Sequence, residues 1–164
     1  MRVYVGTTAA GLEMLRRSGF EAPVTAHAVT GALREWYAEG DADELEYAAT
    51  SAAAQASLHQ LDPAGTPRRV VVAADVPDGS ARPAADDDRP SLVLLGTPLS
   101  LDQVVSLHVD DADAEADVAA AVKALPAAAA GDDDAAFLVD GAEGHELLWY
   151  DVTELDDVLA ALVR

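Results

Sequence analysis

Short apolar segments alternate with helical patterns along most of this chain. Five segments rich in Val and Leu predict strands. They are residues 2–5, 70–74, 92–95, 104–109 and 147–150. Strands that alternate with helices favour a layered fold around one sheet. The pattern therefore predicts a single α/β (or α+β) domain over residues 1–164. We expect one mixed sheet of about four to five strands, packed by alanine-rich helices.

Capping residues mark where the helices begin. Thr8 and Thr30 each precede apolar residues at helical spacing, and Asp41 forms a capping box with Glu44. These signals predict helices from Thr8 to Gly19, from Thr30 to Gly40 and from Asp41 to about Leu61. Two more helices are predicted over residues 113–125, ending at Pro126, and after Thr153. Residues 135–139 fit either a helical turn or a strand.

Two segments stand out by their composition. Residues 70–74 read Val-Val-Val-Ala-Ala, an unbroken apolar run that predicts an interior strand covered on both faces, with residues 3–5 beside it. Residues 77–90 contain three prolines and three consecutive aspartates. This composition predicts an exposed, flexible loop without packing content. The loop is not expected to divide the chain into two domains.

The charge excludes several classes of partner. The chain has 10 basic and 30 acidic residues, for a formal charge of −20, and residues 70–164 alone carry −17. Phosphate backbones and anionic lipid repel such a surface, so we expect no nucleic-acid or membrane binding. No apolar run approaches the ~20 residues that span a bilayer, and the first residues lack a signal-peptide layout. We expect a cytoplasmic protein whose protein partner has a basic surface.

Metal and cofactor chemistry finds little support in the residue types. The chain has no cysteine, which excludes disulfides and thiolate ligands. Its four histidines are His27, His59, His108 and His145, and no two are closer than 32 residues. Zinc sites usually include a closely spaced ligand pair. We therefore expect no metal and no cofactor.

Carboxylates at strand ends leave an enzymatic alternative open. Asp75 ends one predicted strand, and Asp110 and Asp111 follow another. If these strands are parallel, the carboxylates meet at one sheet edge, where Mg²⁺ could bind. His145 is a further candidate as a general acid or base. The alternative function is a Mg²⁺-dependent hydrolase or phosphotransferase, although the loops of this chain are aspartate-rich throughout.

A turn near the N-terminus suggests a second alternative. Gly6-Thr7-Thr8 lies between a strand and a helix, where backbone N–H groups can hold an anion. The segment lacks the phosphate-binding glycine pattern and the P-loop lysine, which favours a simple helix cap. A small-ligand sensor built on Thr7 and Thr8 remains the third hypothesis.

Aromatic residues form two pairs in a chain that contains only 5% aromatics. Trp36-Tyr37 and Trp149-Tyr150 hold both tryptophans and half of the tyrosines. We expect at least one ring of each pair to anchor the alanine-rich core. An exposed ring, together with Arg34, would instead mark a protein-binding surface, since Trp, Tyr and Arg are enriched in such surfaces.

Several phrases are more specific than the composition requires. They include Ala-Leu-Arg-Glu-Trp-Tyr at 32–37, Arg-Val-Val-Val-Ala-Ala-Asp-Val-Pro at 69–77 and Gly-His-Glu-Leu-Leu-Trp-Tyr at 144–150. Together with residues 1–5, 44–49 and 108–111, they resemble a family of short actinobacterial proteins of unknown function. The resemblance covers nearly the whole chain apart from residues 77–90, and it implies no activity, substrate or catalytic residue.

The residues together favour one function without excluding the others. No catalytic constellation is evident, and the aromatic pairs suggest contacts with another protein. The leading hypothesis is a non-enzymatic binding or regulatory module that acts through protein contacts. Whether the protein is an enzyme stays open at this point.

Overall fold

The computed structural model describes residues 1–163. Within this range the chain forms seven strands and six α-helices. The strands are β1 (Arg2–Thr7), β2 (Val24–His27), β3 (Val70–Asp75), β4 (Ala81–Pro83), β5 (Leu92–Leu95), β6 (Val104–Asp110) and β7 (Leu147–Asp151). The helices are α1 (Ala9–Ser18), α2 (Gly31–Trp36), α3 (Ala42–Leu58), α4 (Glu115–Ala129), α5 (Asp133–Glu143) and α6 (Leu155–Leu162).

The strands form one sheet in the order β4-β5-β2-β1-β3-β6-β7, and every neighbouring pair is antiparallel. The α/β class is confirmed, but the expected mixed sheet of four to five strands is wrong. The additional strands are β2 and β4. Both are short: β4 has three residues and ends in Pro83, and β2 alternates apolar and polar residues over only four positions, so neither stands out in the sequence.

The interior position of β3 is confirmed. Val71 and Val72 are fully buried, and β3 lies between β1 and β6. One face of the sheet carries Val70 and Val72 and packs against α1 and α6. Burial on this face comes from leucines and valines, since the packed helices place Leu12, Leu15 and Leu159 against the strands.

Alanines cover the opposite face of the sheet. Helix α3 begins at the predicted capping box of Asp41 and Glu44 and lies across β1 and β3. Its buried positions are Leu45, Ala49, Ala53, Ala54, Ser57 and Leu58. The predicted stripe included Ala52 and Ala56, which are only half-buried. Small side chains let the helix approach the sheet closely, but they leave little apolar area to bury.

A glycine makes the close approach of α3 possible. A Cβ atom added to Gly6 of β1 would lie 2.7 Å from the Ser57 backbone nitrogen, and closer still to the Ala53 carbonyl oxygen. Both atoms belong to the backbone of α3, which cannot rotate away as a side chain could. A side chain at position 6 therefore requires the whole helix to move off the sheet.

We expect Gly6→Ala to lower the free energy of unfolding by about 3 kcal/mol or more, because overpacking here displaces backbone. The matched control is Gly31→Ala, since a Cβ at Gly31 meets nothing within 4 Å. That control should change stability by less than about 1 kcal/mol, in the stabilising direction, because alanine favours helix. Urea denaturation of both variants measures the difference, and equal midpoints would contradict the close approach.

Several predicted boundaries require correction. Helix α2 ends at Trp36 rather than near Gly40. Helix α4 continues through Pro126 to Ala129, because alanines favour helix on both sides and α4 packs along α5. Residues 135–139 belong to a helix, α5. Asp151, and not Thr153, caps the final helical segment: its carboxylate accepts the Thr153 N–H at 2.9 Å.

The segment at 77–90 has more structure than expected. It contains β4, which pairs with β5, and Ala81 is buried. Asp86 and Arg89 are joined by hydrogen bonds of 2.8 and 2.6 Å. The expectation of an exposed loop without packing content is therefore wrong, because a short ladder with β5 supplies contacts that composition does not reveal. The predicted flexibility of this segment stays a prediction.

Candidate functional site

The strand-end carboxylates do not converge. Asp75 ends β3, whereas Asp110 lies opposite Arg69, just before the start of β3, because β3 and β6 are antiparallel. Six residues of extended chain separate the two positions along the sheet, or roughly 20 Å. Asp111 follows Asp110 and lies at the same far end. The expected convergence of these carboxylates is therefore wrong, since Asp75 and Asp111 lie too far apart to share one Mg²⁺ ion.

The carboxylates at the two ends of β3 have different surroundings. Asp75 accepts hydrogen bonds from Arg2 at 2.7 and 3.2 Å, and this contact lowers the pKa of the Asp75 carboxyl. Asp111 is exposed at the start of a short turn. Among residues 1–163, no three His, Asp or Glu side chains are grouped so that they could hold a metal ion.

Asp110 belongs to a buried ion pair with Arg69. The Asp110 carboxylate accepts the Arg69 Nε at 2.9 Å, Nη2 at 2.7 Å and backbone N–H at 2.7 Å. Both side chains are nearly inaccessible to solvent. The Arg69 Nη2 also donates to the His145 carbonyl at 2.9 Å, which ties the loop before β7 to the sheet. This pair therefore holds the loop before β7 against the sheet.

A cleft of about 510 Å³ opens above this ion pair. It lies on the α3 side of the sheet, between α3 and the loop that precedes β7. Its walls are formed by Tyr47, Thr50, Ser51, Ala54, Gln55, Arg69, His108, Glu143, His145, Glu146 and Leu147. Polar and apolar groups are mixed in this lining, and the volume is in the usual range for a small-molecule site.

The two histidines of the cleft differ in their surroundings. His108 is half-buried, its Nε2 lies 3.1 Å from Ser106 Oγ, and its pKa is lowered by burial and by the charge of Arg2. A neutral imidazole is therefore expected at pH 7. His145 Nε2 lies 2.7 Å from a carboxylate oxygen of Asp117, near the cleft entrance. This contact links the loop to α4, so His145 has a structural partner as well as an exposed side.

His145 was a candidate from the sequence and lines this cleft, but sequence reasoning missed Arg69 and Tyr47. Arg69 directly precedes the most apolar strand of the chain, and a charge at that position needs a buried partner. That signal, combined with Asp110 at the end of another apolar strand, could have predicted the pair. The sequence carries no such signal for Tyr47. Whether Tyr47 lies toward the cleft or away from it depends on which face of α3 packs against the sheet.

Thr7 and Thr8, the threonines of the turn before α1, make contacts within the fold. Thr8 Oγ1 accepts the Gly11 N–H at 3.1 Å and caps α1, while Thr7 is buried. The Thr7 carbonyl accepts the Ser57 hydroxyl at 2.6 Å. This confirms the interpretation as a capped turn. The side chain of Thr8 is therefore engaged in the helix cap, and that of Thr7 is buried.

Most aromatic rings lie at the surface. Of the eight aromatic residues, Trp36, Tyr37, Tyr47, Phe137 and Trp149 are exposed by 45–77%. The expectation that one ring of each pair anchors the core is wrong for Trp36-Tyr37, because α2 turns only Leu33 inward. It holds for the other pair: Tyr150 is half-buried and packs on the main core, while Trp149 points to the opposite face.

Three of these rings share one surface, which we call the α3 groove. Two cavities of about 1110 and 350 Å³ meet there, and both are lined by Tyr37, Ala48, Ala52 and Gln55. Tyr47 borders the larger cavity and Trp36 the smaller one. Small residues of α3 form the floor of the groove, and aromatic rings rise at its sides.

The α3 groove has an acidic rim. Glu39, Asp43 and Glu44 line the larger cavity, and Asp88 and Arg89 line the smaller one. Residues 34–47, which include the first three, contain six exposed carboxylates and one arginine, Arg34, for a formal charge of −5. The surface therefore offers apolar contact area within a negative field.

None of the helices within residues 1–163 has both the length and the apolar character to cross a bilayer.

A search of curated proteins and a search of solved structures both find no match. The family model described as "Family of unknown function (DUF6912)" matches residues 1–159. This match spans all seven strands and most of α6. The chain therefore belongs to the DUF6912 family, whose function is unknown.

Proposed function

We propose that this protein is a cytosolic, non-enzymatic interaction module that binds a basic, amphipathic segment of another protein in the α3 groove. One observation carries the proposal: five of the eight aromatic rings lie at the surface of a protein whose core is built from Ala, Val and Leu. A chain with so few large apolar side chains gains most stability by burying them. Three of the five exposed rings, those of Trp36, Tyr37 and Tyr47, lie together in the α3 groove, and exposed apolar groups that form one patch mark an interaction surface.

The shape of the α3 groove supports a protein segment as the ligand. Tyr37, Ala48, Ala52 and Gln55 line both of its cavities, so the groove is continuous along the exposed side of α3. Its larger cavity alone, at about 1110 Å³, exceeds the usual volume of a small-molecule site. Grooves lined by apolar groups along a helix accept amphipathic helices of partner proteins.

The charge of the rim supports a basic partner. Glu39, Asp43 and Glu44, which line the larger cavity, repel acidic segments and attract Lys and Arg side chains that flank an apolar face. Such charges chiefly raise the association rate and select among partners. The aromatic rings of Trp36 and Tyr47 would supply most of the affinity, since Trp and Tyr are enriched at binding hot spots.

A peptide-display selection tests this proposal at physiological salt. We expect enriched peptides to combine Lys or Arg with large apolar residues at helical spacing. The double variant Trp36→Ala/Tyr47→Ala should bind them at least about tenfold more weakly, because truncated hot-spot residues cost about 1.4 kcal/mol or more. Fluorescence anisotropy with one enriched peptide gives the dissociation constants.

The matched control is Phe137→Ala. Phe137 is exposed by 77% and lies on α5, outside the α3 groove, so its truncation should leave the affinity within about twofold. Peptides that bind wild type and the double variant equally well would contradict the proposed groove. An enrichment of acidic peptides would contradict the role of the rim.

A further inference from the structure

The two edges of the sheet differ in how they are protected. The edge strand β4 has only three residues and ends in Pro83, and both features discourage pairing with another chain. The other edge, β7, has five residues and reads Leu-Leu-Trp-Tyr-Asp, without Pro or Lys. Of the strands described in residues 1–163, only β6 pairs with β7, so its outer side is open.

The ladder of β6 shows which backbone groups of β7 face outward. The Asp110 N–H donates to the Arg69 carbonyl at 3.1 Å. The backbone N–H and C=O of Asp110 therefore point toward β3 and away from β7. Bonded and non-bonded positions alternate along an antiparallel strand. Leu147, which lies opposite Asp110, therefore turns its N–H and C=O away from β6, and Trp149 does the same two residues later.

The end of β7 agrees with this assignment. The Asp151 N–H donates to the Glu154 carboxylate at 2.8 Å, outside the β6 ladder. Asp151 lies two residues after Trp149 and four after Leu147. The backbone N–H and C=O groups of all three residues therefore point toward the open side of β7. In the part of the chain that the structure describes, no group accepts from the outward N–H of Leu147 or Trp149, or donates to their carbonyls.

Large apolar side chains flank this open edge on both faces of the sheet. Trp149 is exposed by 61% on the α3 side, and Leu148 is exposed by 42% on the opposite side. Exposed edges normally carry charges, Pro or a bulge that prevent pairing. An unprotected strand with exposed Trp and Leu has the character of an interface.

We propose that β7 pairs with β7 of a second copy of this chain, antiparallel and centred on Trp149, which joins two sheets across a two-fold axis. In this register the two Trp149 residues form a hydrogen-bonded pair, and Leu147 lies opposite Asp151 of the second copy. Leu148 then lies opposite Tyr150 of the second copy on the other face. Trp149 and Leu148 therefore each meet an aromatic side chain of the second copy, and the same patch contacts itself, as in any isologous interface.

Charge opposes the pairing at the two ends of β7, where Glu146 and Asp151 lie. In the centred register, Asp151 of one copy lies opposite Leu147, and therefore next to the position opposite Glu146, on a strand about 5 Å away. At 0.1 M salt the Debye length of about 10 Å exceeds this spacing, so the pairing should strengthen as the salt concentration rises.

The apolar area that the pairing can bury sets the expected stability of the dimer. Covering the exposed parts of Trp149 and Leu148 in both copies removes on the order of 500 Å² from water. Stable interfaces bury about 1,200–2,000 Å² in total, so the pairing should be a reversible, concentration-dependent equilibrium. Four main-chain hydrogen bonds between the outward groups add direction and fix the register.

Sedimentation velocity from about 10 μM to 1 mM protein in 0.5 M NaCl tests the proposal, because mass action shifts a weak dimer over such a range. We expect the weight-average mass to rise toward twice 17.0 kDa. Trp149→Ala should weaken association at least about tenfold, and Phe137→Ala, a matched exposed aromatic, should leave it within about twofold. Trp149→Pro should abolish association, since it removes the outward N–H and leaves the β6 ladder intact.

Hydrogen exchange separates strand pairing from other contacts. The amides of Leu147 and Trp149 should exchange freely in dilute wild type and become protected at high concentration. Trp149→Ala must retain the wild-type circular dichroism and melting curve, which shows that weaker association is not unfolding. A protein that stays monomeric at 1 mM, or that dimerises while these two amides exchange freely, would overturn the proposal.

Discussion

Replacing Arg69 with methionine is expected to lower the free energy of unfolding by about 3–5 kcal/mol, because the change leaves the Asp110 carboxylate buried and uncompensated. Asp110 accepts three hydrogen bonds from Arg69, and its side chain has no accessible surface. The same variant should loosen the loop before β7, since Arg69 also donates to the His145 carbonyl. Urea denaturation measures the first effect, and hydrogen exchange at residues 144–147 measures the second.

A double variant distinguishes the buried charge from lost packing. Arg69→Met/Asp110→Leu removes both charges while keeping apolar volume, and such replacements of buried pairs are often neutral or stabilising. We expect it to recover most of the stability that Arg69→Met loses. The exposed ion pair of Arg17 and Glu13 is the matched comparison, because Arg17→Met should cost less than about 1 kcal/mol. A single Arg69→Met variant as stable as wild type would contradict this account.

Acidification from pH 6.5 to 4 is expected to cost about 3 kcal/mol of stability through His27 alone. Burial, with a smaller contribution from the charge of Arg89, lowers the pKa of His27 to about 4, and its Nδ1 lies 2.8 Å from Ser91 Oγ. In the unfolded chain the pKa returns to about 6.5, so the unfolded state binds more protons between these values. Stability is therefore complete above pH 6.5 and is lost as the pH falls toward 4.

His27→Gln removes this titration and should flatten the curve of unfolding free energy between pH 6.5 and 4 by about 3 kcal/mol. His59→Gln is the matched control, because His59 is exposed at the end of α3. His108 contributes in the same direction, since burial also lowers its pKa. The carboxyls whose pKa values are lowered, such as Asp75 and Asp86, act mainly below pH 4. An unchanged slope in His27→Gln would contradict the burial of a neutral imidazole.

Local signals in the sequence were sufficient for much of the secondary structure. Thr8 and Asp41 cap α1 and α3 where the residue types predict it, because capping depends on side chains only three residues apart. The interior position of β3 also followed from its residues, since five consecutive apolar side chains can be buried only if both faces are covered. Membership of a family of unknown function, which the local phrases suggested, is confirmed.

The candidate site depended on long-range geometry that no local signal carries. The direction of each strand relative to its neighbour decided that Asp75 and Asp110 lie at opposite ends of the sheet. The short strands β2 and β4 form because neighbouring strands supply ladder partners, and not because of their own residue pattern.

The amino-acid sequence by itself determined the caps, the interior strand, the absence of thiol chemistry and the strongly negative charge, because each depends on residue type or on neighbours a few positions away. Only the tertiary structure decided that Arg69 and Asp110 meet, that Trp36, Tyr37 and Tyr47 share one groove, and that β7 remains an open edge. These features join residues up to 76 positions apart, as in the contact of Arg69 with His145. The packing of whole helices and strands decides which distant residues come into contact. The order of residues along the chain therefore does not reveal these contacts.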